Sequence, residues 1–119
     1  MNRTEEHLDR IRGCMIGGAV GDALGYPIEF DGIQSIRNRY GLQGLTRYVP
    51  NHNGVAEITD DTQMSLFTAN GLLYGYTKNN RGNVCNFIAQ AYCEWYETQT
   101  GKKKPKKICW IRDIPVLNH

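Results

Sequence analysis

The sequence predicts an all-α protein, and three observations carry that expectation. Apolar residues recur at spacings of three and four along most of the chain, the period of an amphipathic helix. Hydroxyl or amide side chains suited to capping stand where such stretches begin, and carboxylates follow Thr4 and Thr59. No alternating strand pattern or hairpin signal competes with them. At 119 residues the chain is sized for one ordinary domain, and residues 1–119 are expected to belong to one.

The first helix is expected to begin at Thr4, whose hydroxyl caps a turn carrying Glu5 and Glu6. Leu8, Ile11, Met15, Gly18 and Asp22 follow at helical spacing, and Gly25-Tyr26-Pro27 closes the helix. Gly13, Gly17, Gly21 and Gly25 recur at every fourth position, with Gly18 beside them. Each interior Gly costs roughly 0.5–1 kcal/mol relative to Ala, so a helix that keeps them needs compensation. Close approach of another backbone or a ligand supplies it, and the ridge is expected to pack tightly. Such stripes occur between membrane helices, but Asp22 within this one points to a soluble core.

Beyond Ile28-Glu29-Phe30, residues Ile33 to Tyr40 form a short basic helix closed by Gly41. Gly44, Pro50, Asn51, Asn53 and Gly54 make residues 41–58 a long irregular loop, a length more often functional than merely connecting. Thr59 caps a second long helix with Asp60 and Asp61 in its first turn. Met64, Phe67, Gly71 and Tyr74 carry it to about Tyr76, and Asn79, Asn80 and Gly82 mark a turn. Asn83 caps a further helix, on which Val84, Phe87, Ile88, Ala91, Tyr92 and Trp95 fill one apolar face. Gly101 ends it. Residues 101–119 are read as a basic turn, Lys102 to Lys107, and an apolar tail, Ile108 to Leu117.

Composition excludes several classes. The net charge is +2, so no strong overall field steers partners. No run of about 18 apolar residues is present, so no transmembrane helix is expected. Met1 to Arg12 is polar and mixed in charge, unlike a secretory leader. Cys14, Cys85, Cys93 and Cys109 form neither a C-x-x-C pair nor a finger spacing. They read as free thiols in a reducing cytoplasm. Gly17-Gly18-Ala19-Val20-Gly21 matches neither dinucleotide nor phosphate-loop spacing, and no strand precedes it.

Thr59-Asp60-Asp61-Thr62 is the sharpest chemical feature. A hydroxyl and two carboxylates can converge at a helix start, and hard cations such as Mg²⁺ take oxygen ligands. The plainer reading is a capped, acidic helix start. Glu29 lies between Ile28 and Phe30, whose apolar side chains can desolvate a carboxyl and suit it to proton transfer. Its plainer reading is a solvated loop glutamate, as His52 is a solvated histidine. Asp22 reads as a ligand, a group behind the ligands, or a cap for a neighbouring loop, with the structural roles favoured. The lysine run could contact phosphate and Trp110 could stack on a base. A basic turn between helices is more simply a solvated one, so nucleic acid is not an expected partner.

Three segments in order resemble the N-terminal part of the ADP-ribosylglycohydrolase family: Arg12 to Gly25, Pro27-Ile28-Glu29-Phe30, and Ile58 to Met64. The resemblance spans roughly residues 8 to 100 and implies an all-α orthogonal bundle, incomplete in this chain. It implies a hydrolase that releases ADP-ribose from modified protein side chains or from small molecules containing it. It also implies a two-metal site of Mg²⁺ or Mn²⁺, with Thr59, Asp60 and Asp61 as metal ligands and Glu29 as the catalytic acidic residue. Family members are longer and carry a later Asp-x-Asp-type cluster, whereas after Asp61 this chain has Asp113 alone. It is therefore expected to be a truncated N-terminal portion with at most one partial metal site, inactive by itself. Its missing half, or self-association, would cover exposed apolar residues at 108–117. The alternative is a non-enzymatic helical module that binds ADP-ribose or self-associates.

Overall fold

The computed structural model describes residues 2–102, 105 and 107–117. Lys103, Lys104 and Lys106 of the basic run, and His119, lie outside the described residues. The described residues form four α-helices, α1 (Arg3–Gly25), α2 (Ile33–Tyr40), α3 (Asp60–Thr77) and α4 (Val84–Gln99), with short 3-10 turns and no strand. The protein is all-α. It divides into two compact units, residues 1–62 and 63–119.

In the first unit, α1 is capped by Asn2 rather than Thr4. The Asn2 Oδ1 accepts from the N–H groups of Thr4 and Glu5 at 3.0 and 2.9 Å. Glu5 Oε2 accepts from the Asn2 N–H at 2.8 Å. This reciprocal box satisfies three donors at once, which a Thr4 cap two residues later would not. The long glycine-bearing helix then departs from expectation. Among the described residues nothing lies within 4 Å of a Cβ built on Gly13, Gly17, Gly18, Gly21 or Gly25. The ridge is open, not packed. Ile11 and Ile16 are 61 % and 63 % exposed, and Ala23 is the buried residue of the helix. Burial is confined to its C-terminal end, where Asp22 lies.

Pro27 fits the first turn of a 3-10 segment, Tyr26–Ile28, that bends the chain out of α1. In α2 the last turn carries Arg37 and Arg39, cations placed against the carbonyl end of the dipole; Arg39 also pairs with Asp31. Gly41 stops it at φ +83°, a backbone that side-chain-bearing residues rarely adopt. The loop over 41–58 has local order: the Asn51 Oδ1 accepts from the N–H groups of Asn53 and Val55, and its Nδ2 donates to Glu57 at 2.9 Å.

The second unit is built on the rest of α3 and on α4. Here glycines do permit close approach. A Cβ on Gly71 would lie 2.8 Å from the Ile88 Cα and 2.9 Å from the Phe87 carbonyl oxygen. One on Gly75 would lie 2.8 Å from the Phe87 ring. Tyr74 and Phe87 meet edge to face at 5.3 Å, and Phe67 and Ala91 are fully buried. Polar groups tie the same seam. Thr68 and Tyr92 share a hydroxyl bond at 2.7 Å, and the Trp95 Nε1 donates to Gln63 at 2.9 Å.

The segment after α4 is also bound into this unit. The Glu94 Oε1 accepts from the N–H groups of Lys107 and Ile108 at 3.1 and 2.8 Å. The Asn70 Nδ2 donates to the Ile108 carbonyl at 2.9 Å. Arg112 sits 3.1 Å from Glu97 and 3.8 Å from Glu94. Ile108, Cys109 and Leu117 are buried, while Trp110 and Ile114 stay about half exposed. The expectation of an exposed apolar tail is thus corrected: these polar anchors fold half of it inward. All four cysteines are free, and Cys109 alone is buried.

Two predictions follow from this packing. Gly71→Ala will lower stability by about 1–3 kcal/mol through overpacking, whereas Gly17→Ala will raise it by about 0.5–1 kcal/mol; urea denaturation of both variants distinguishes a packed glycine from an open one. Burial pushes the Cys109 thiol from its ordinary 9.0 up to about 12, with the Glu94 carboxylate adding and the Arg112 guanidinium opposing. Because the folded value is the higher one, stability from the neutral thiol is full below about pH 9 and falls as pH rises to about 12. A Cys109→Ala variant will lack this part of the alkaline loss in pH-dependent unfolding.

Candidate functional site

The site is assembled where the last turn of α1 meets the first turn of α3. A helix start leaves four backbone N–H groups without helical partners. Thr59, just ahead of α3, meets one locally: its Oγ1 accepts from the Asp61 N–H at 3.3 Å. A residue far upstream meets more. The Asp22 Oδ2 accepts from the Thr59 N–H at 2.8 Å, the Thr62 N–H at 3.2 Å and the Thr62 hydroxyl at 2.5 Å. The Asp22 Oδ1 accepts from the Thr59 hydroxyl at 2.7 Å. One half-buried carboxylate thus gathers four donors from the turn 59–62, in the positive end of a helix dipole.

Electrostatics follow from that count. Burial alone would raise the Asp22 carboxyl, but the Thr62 hydroxyl, the Thr59 N–H and hydroxyl and the Thr62 N–H together outweigh it. The group is held below the ordinary carboxylate range, so Asp22 is an anion at neutral pH. The structure places it as a cap joining α1 to the helix start.

Asp60 and Asp61 are exposed, and among the described residues their carboxylates make no ion pair or hydrogen bond. They follow Thr59 in sequence, whose hydroxyl hydrogen is committed to Asp22 and which keeps one lone pair beyond that given to the Asp61 N–H. Two free carboxylates and one hydroxyl are hard oxygen donors and fit Mg²⁺ or Mn²⁺ better than a softer ion. They supply only part of an octahedral shell. Among the described residues no group of three or more His, Cys, Asp and Glu side chains converges on one point.

Glu29 follows the 3-10 turn, its N–H bonded to the Tyr26 carbonyl at 3.2 Å. It is exposed, and Phe30 is 92 % exposed. The apolar cover expected from its neighbours is therefore missing, because the phenyl ring turns to solvent. The sequence-predicted ligands Thr59, Asp60 and Asp61 stand together on one helix start. Thr62 was not among them, and the role of Asp22 was open. The available signal was a carboxylate inside a helix of small residues, which needs donors, and a Thr-x-x-Thr start that offers them.

The family model described as ADP-ribosylglycohydrolase matches residues 3–114. The chain belongs to the ADP-ribosylglycohydrolase family. Among similar proteins, an uncharacterized protein of Archaeoglobus fulgidus is 38 % identical over 68 residues, 55 % of this chain and 22 % of its own length. The ADP-ribosylarginine hydrolase Tri1 of Pseudomonas putida is 32 % identical over 92 residues, 77 % of this chain and 22 % of its own length. The ADP-ribosyl-[dinitrogen reductase] glycohydrolase of Rhodospirillum rubrum is 42 % identical over 64 residues, 49 % of this chain and 20 % of its own length. This chain therefore spans about a fifth of the length of the curated relatives it matches. No solved structure matches it. No described helix is long and apolar enough to cross a membrane.

In this family member, Thr62→Val removes a hydroxyl bonded to a charged acceptor. It will lower stability by about 1.5–3 kcal/mol, measured by urea denaturation against the parent chain.

Proposed function

We propose that this chain supplies one part of the catalytic centre of an ADP-ribosyl hydrolase acting on arginine-linked ADP-ribose. The observation that carries the proposal is the helix start of α3, where two exposed aspartates follow a threonine whose hydroxyl hydrogen Asp22 holds. Arginine is the proposed linkage because a relative matching 77 % of this chain bears the name ADP-ribosylarginine hydrolase. An acceptor side chain of another kind, or a small molecule containing ADP-ribose, is the next substrate to assay.

Thr59, Asp60 and Asp61 would hold a divalent cation, Mg²⁺ or Mn²⁺. When bound, such a cation supplies positive charge for ribose and diphosphate oxygens and lowers the pKa of a coordinated water. The chain's own residues do the rest. Asp22 keeps the Thr59 hydroxyl hydrogen turned inward. Glu29, exposed in the turn after α1, accepts the proton of the attacking water and offsets positive charge developing on the ribose. The water oxygen forms the new bond to ribose C1, and the C1–N bond breaks with its electron pair passing to the guanidino nitrogen. Glu29 then returns the proton to that nitrogen, leaving free ADP-ribose and arginine.

Three protein oxygens are half of the six that Mg²⁺ takes. The isolated chain is therefore proposed to bind one cation weakly and to need further ligands for turnover. A second reading, a self-associating helical module, is favoured by the exposed Leu8, Ile11, Ile16 and Val20 of α1. Light scattering that finds only monomer removes it.

Titration of the chain with Mn²⁺, followed by electron paramagnetic resonance of the free ion, will show weak saturable binding. Asp60→Asn and Asp61→Asn will each reduce that affinity at least tenfold. Release of ADP-ribose from an arginine-modified protein will be absent with the chain alone. Robust turnover by the isolated chain overturns its incompleteness, and equal binding by both variants overturns the ligand assignment.

A further inference from the structure

We infer that Asp22 is a positioning residue for cation binding: it fixes the Thr59 hydroxyl so that a lone pair, not a hydrogen, faces the carboxylates of Asp60 and Asp61. The inference rests on the metal-binding reading above and adds a residue that touches no cation itself. A threonine hydroxyl left to rotate presents its hydrogen in any of several directions, and a hydrogen aimed at a cation is repelled. Here the hydrogen is taken at 2.7 Å by the Asp22 Oδ1, while the Thr59 N–H is held at 2.8 Å by the Asp22 Oδ2. Backbone and side chain of Thr59 are gripped by one carboxylate. Thr62 holds that carboxylate from the other side, with its N–H at 3.2 Å and its hydroxyl at 2.5 Å.

The chemistry selects a carboxylate at position 22. Four donors converge there, and a carboxylate has acceptors alone. Asparagine has nearly the same volume but brings an NH₂ group. Either its single nitrogen or its single oxygen must then face the Thr59 hydroxyl. If the NH₂ meets the hydroxyl, Thr59 has to accept instead of donate, which spends the lone pair and frees the hydrogen. Thr62 offers the matching control. Its hydroxyl lies in the same cluster, is buried, and belongs to no proposed ligand. Removing it loosens the α1 to α3 connection without changing what Thr59 donates to.

The test uses the whole chain and Mn²⁺ binding read by electron paramagnetic resonance, with far-ultraviolet circular dichroism to confirm folding. Asp22→Asn is expected to weaken Mn²⁺ binding at least tenfold, while Thr62→Val, which costs stability, stays within twofold of the parent. Equal loss in both variants, or none in Asp22→Asn, overturns the positioning role and leaves the ligand assignment standing. Absence of Mn²⁺ binding by the parent overturns the metal reading and this inference together. Should Asp22→Asn not fold, three-bond couplings to the Thr59 methyl carbon in the parent decide. A single side-chain rotamer before Mg²⁺ is added, unchanged afterwards, supports positioning; rotamer averaging in the metal-free chain overturns it.

Discussion

The hold of the Asp22 carboxylate on the N–H and hydroxyl of Thr59 sets the geometry on which the proposed chemistry depends. Helix starts are short of acceptors, and the usual remedy is a cap one to three residues away. This chain adds a remedy from 37 to 40 residues upstream. A local cap fixes only its own turn. A distant one also ties the turn 59–62 to the end of α1, through a handful of hydrogen bonds. The bonds are charge-assisted, and such bonds are short and strong.

The second unit solves a related problem with the same chemistry. Glu94, on α4, is buried and accepts from two successive backbone N–H groups, Lys107 and Ile108. Asn70 takes the carbonyl of Ile108 from α3. An irregular segment can enter a core only if its backbone groups find partners there, and these two side chains provide them. Arg112 then balances the buried carboxylates of Glu94 and Glu97, since removing one partner would leave an uncompensated charge. In both units a carboxylate on one helix organises backbone elsewhere in the sequence.

Such arrangements explain which parts of the sequence were legible. Periodicity and capping placed α2 from Ile33 to Tyr40 as observed, and located the start of α3 and the apolar face of α4. These signals are local and survive without tertiary knowledge. The glycines were misread for the opposite reason. A glycine in a helix signals room for a neighbour, but spacing does not say whether a neighbour comes. It comes at Gly71 and Gly75, where the α4 backbone approaches, and not along α1. Glu94 and Arg112 gave no signal at all: a glutamate on a helix and an arginine in a tail look solvated until the chain folds over them. The Phe30 side chain likewise had to be seen to be outside.

The proposed ligand set, Thr59, Asp60 and Asp61, can be written as a local motif because these residues stand together at one helix start. Within a helix, neighbours point about 100° apart. At the cap the backbone is still turning, so Thr59, Asp60 and Asp61 can offer oxygens to one point without help from another element. A site made this way can be written in three adjacent letters. It is also limited by the same geometry, because three successive residues reach only one side of an ion. The remaining ligands must come from other elements, and nothing local in these three letters specifies them. The same division separates Asp60 and Asp61, whose part is visible in a motif, from Asp22, whose part depends on a fold that brings a distant carboxylate to the turn.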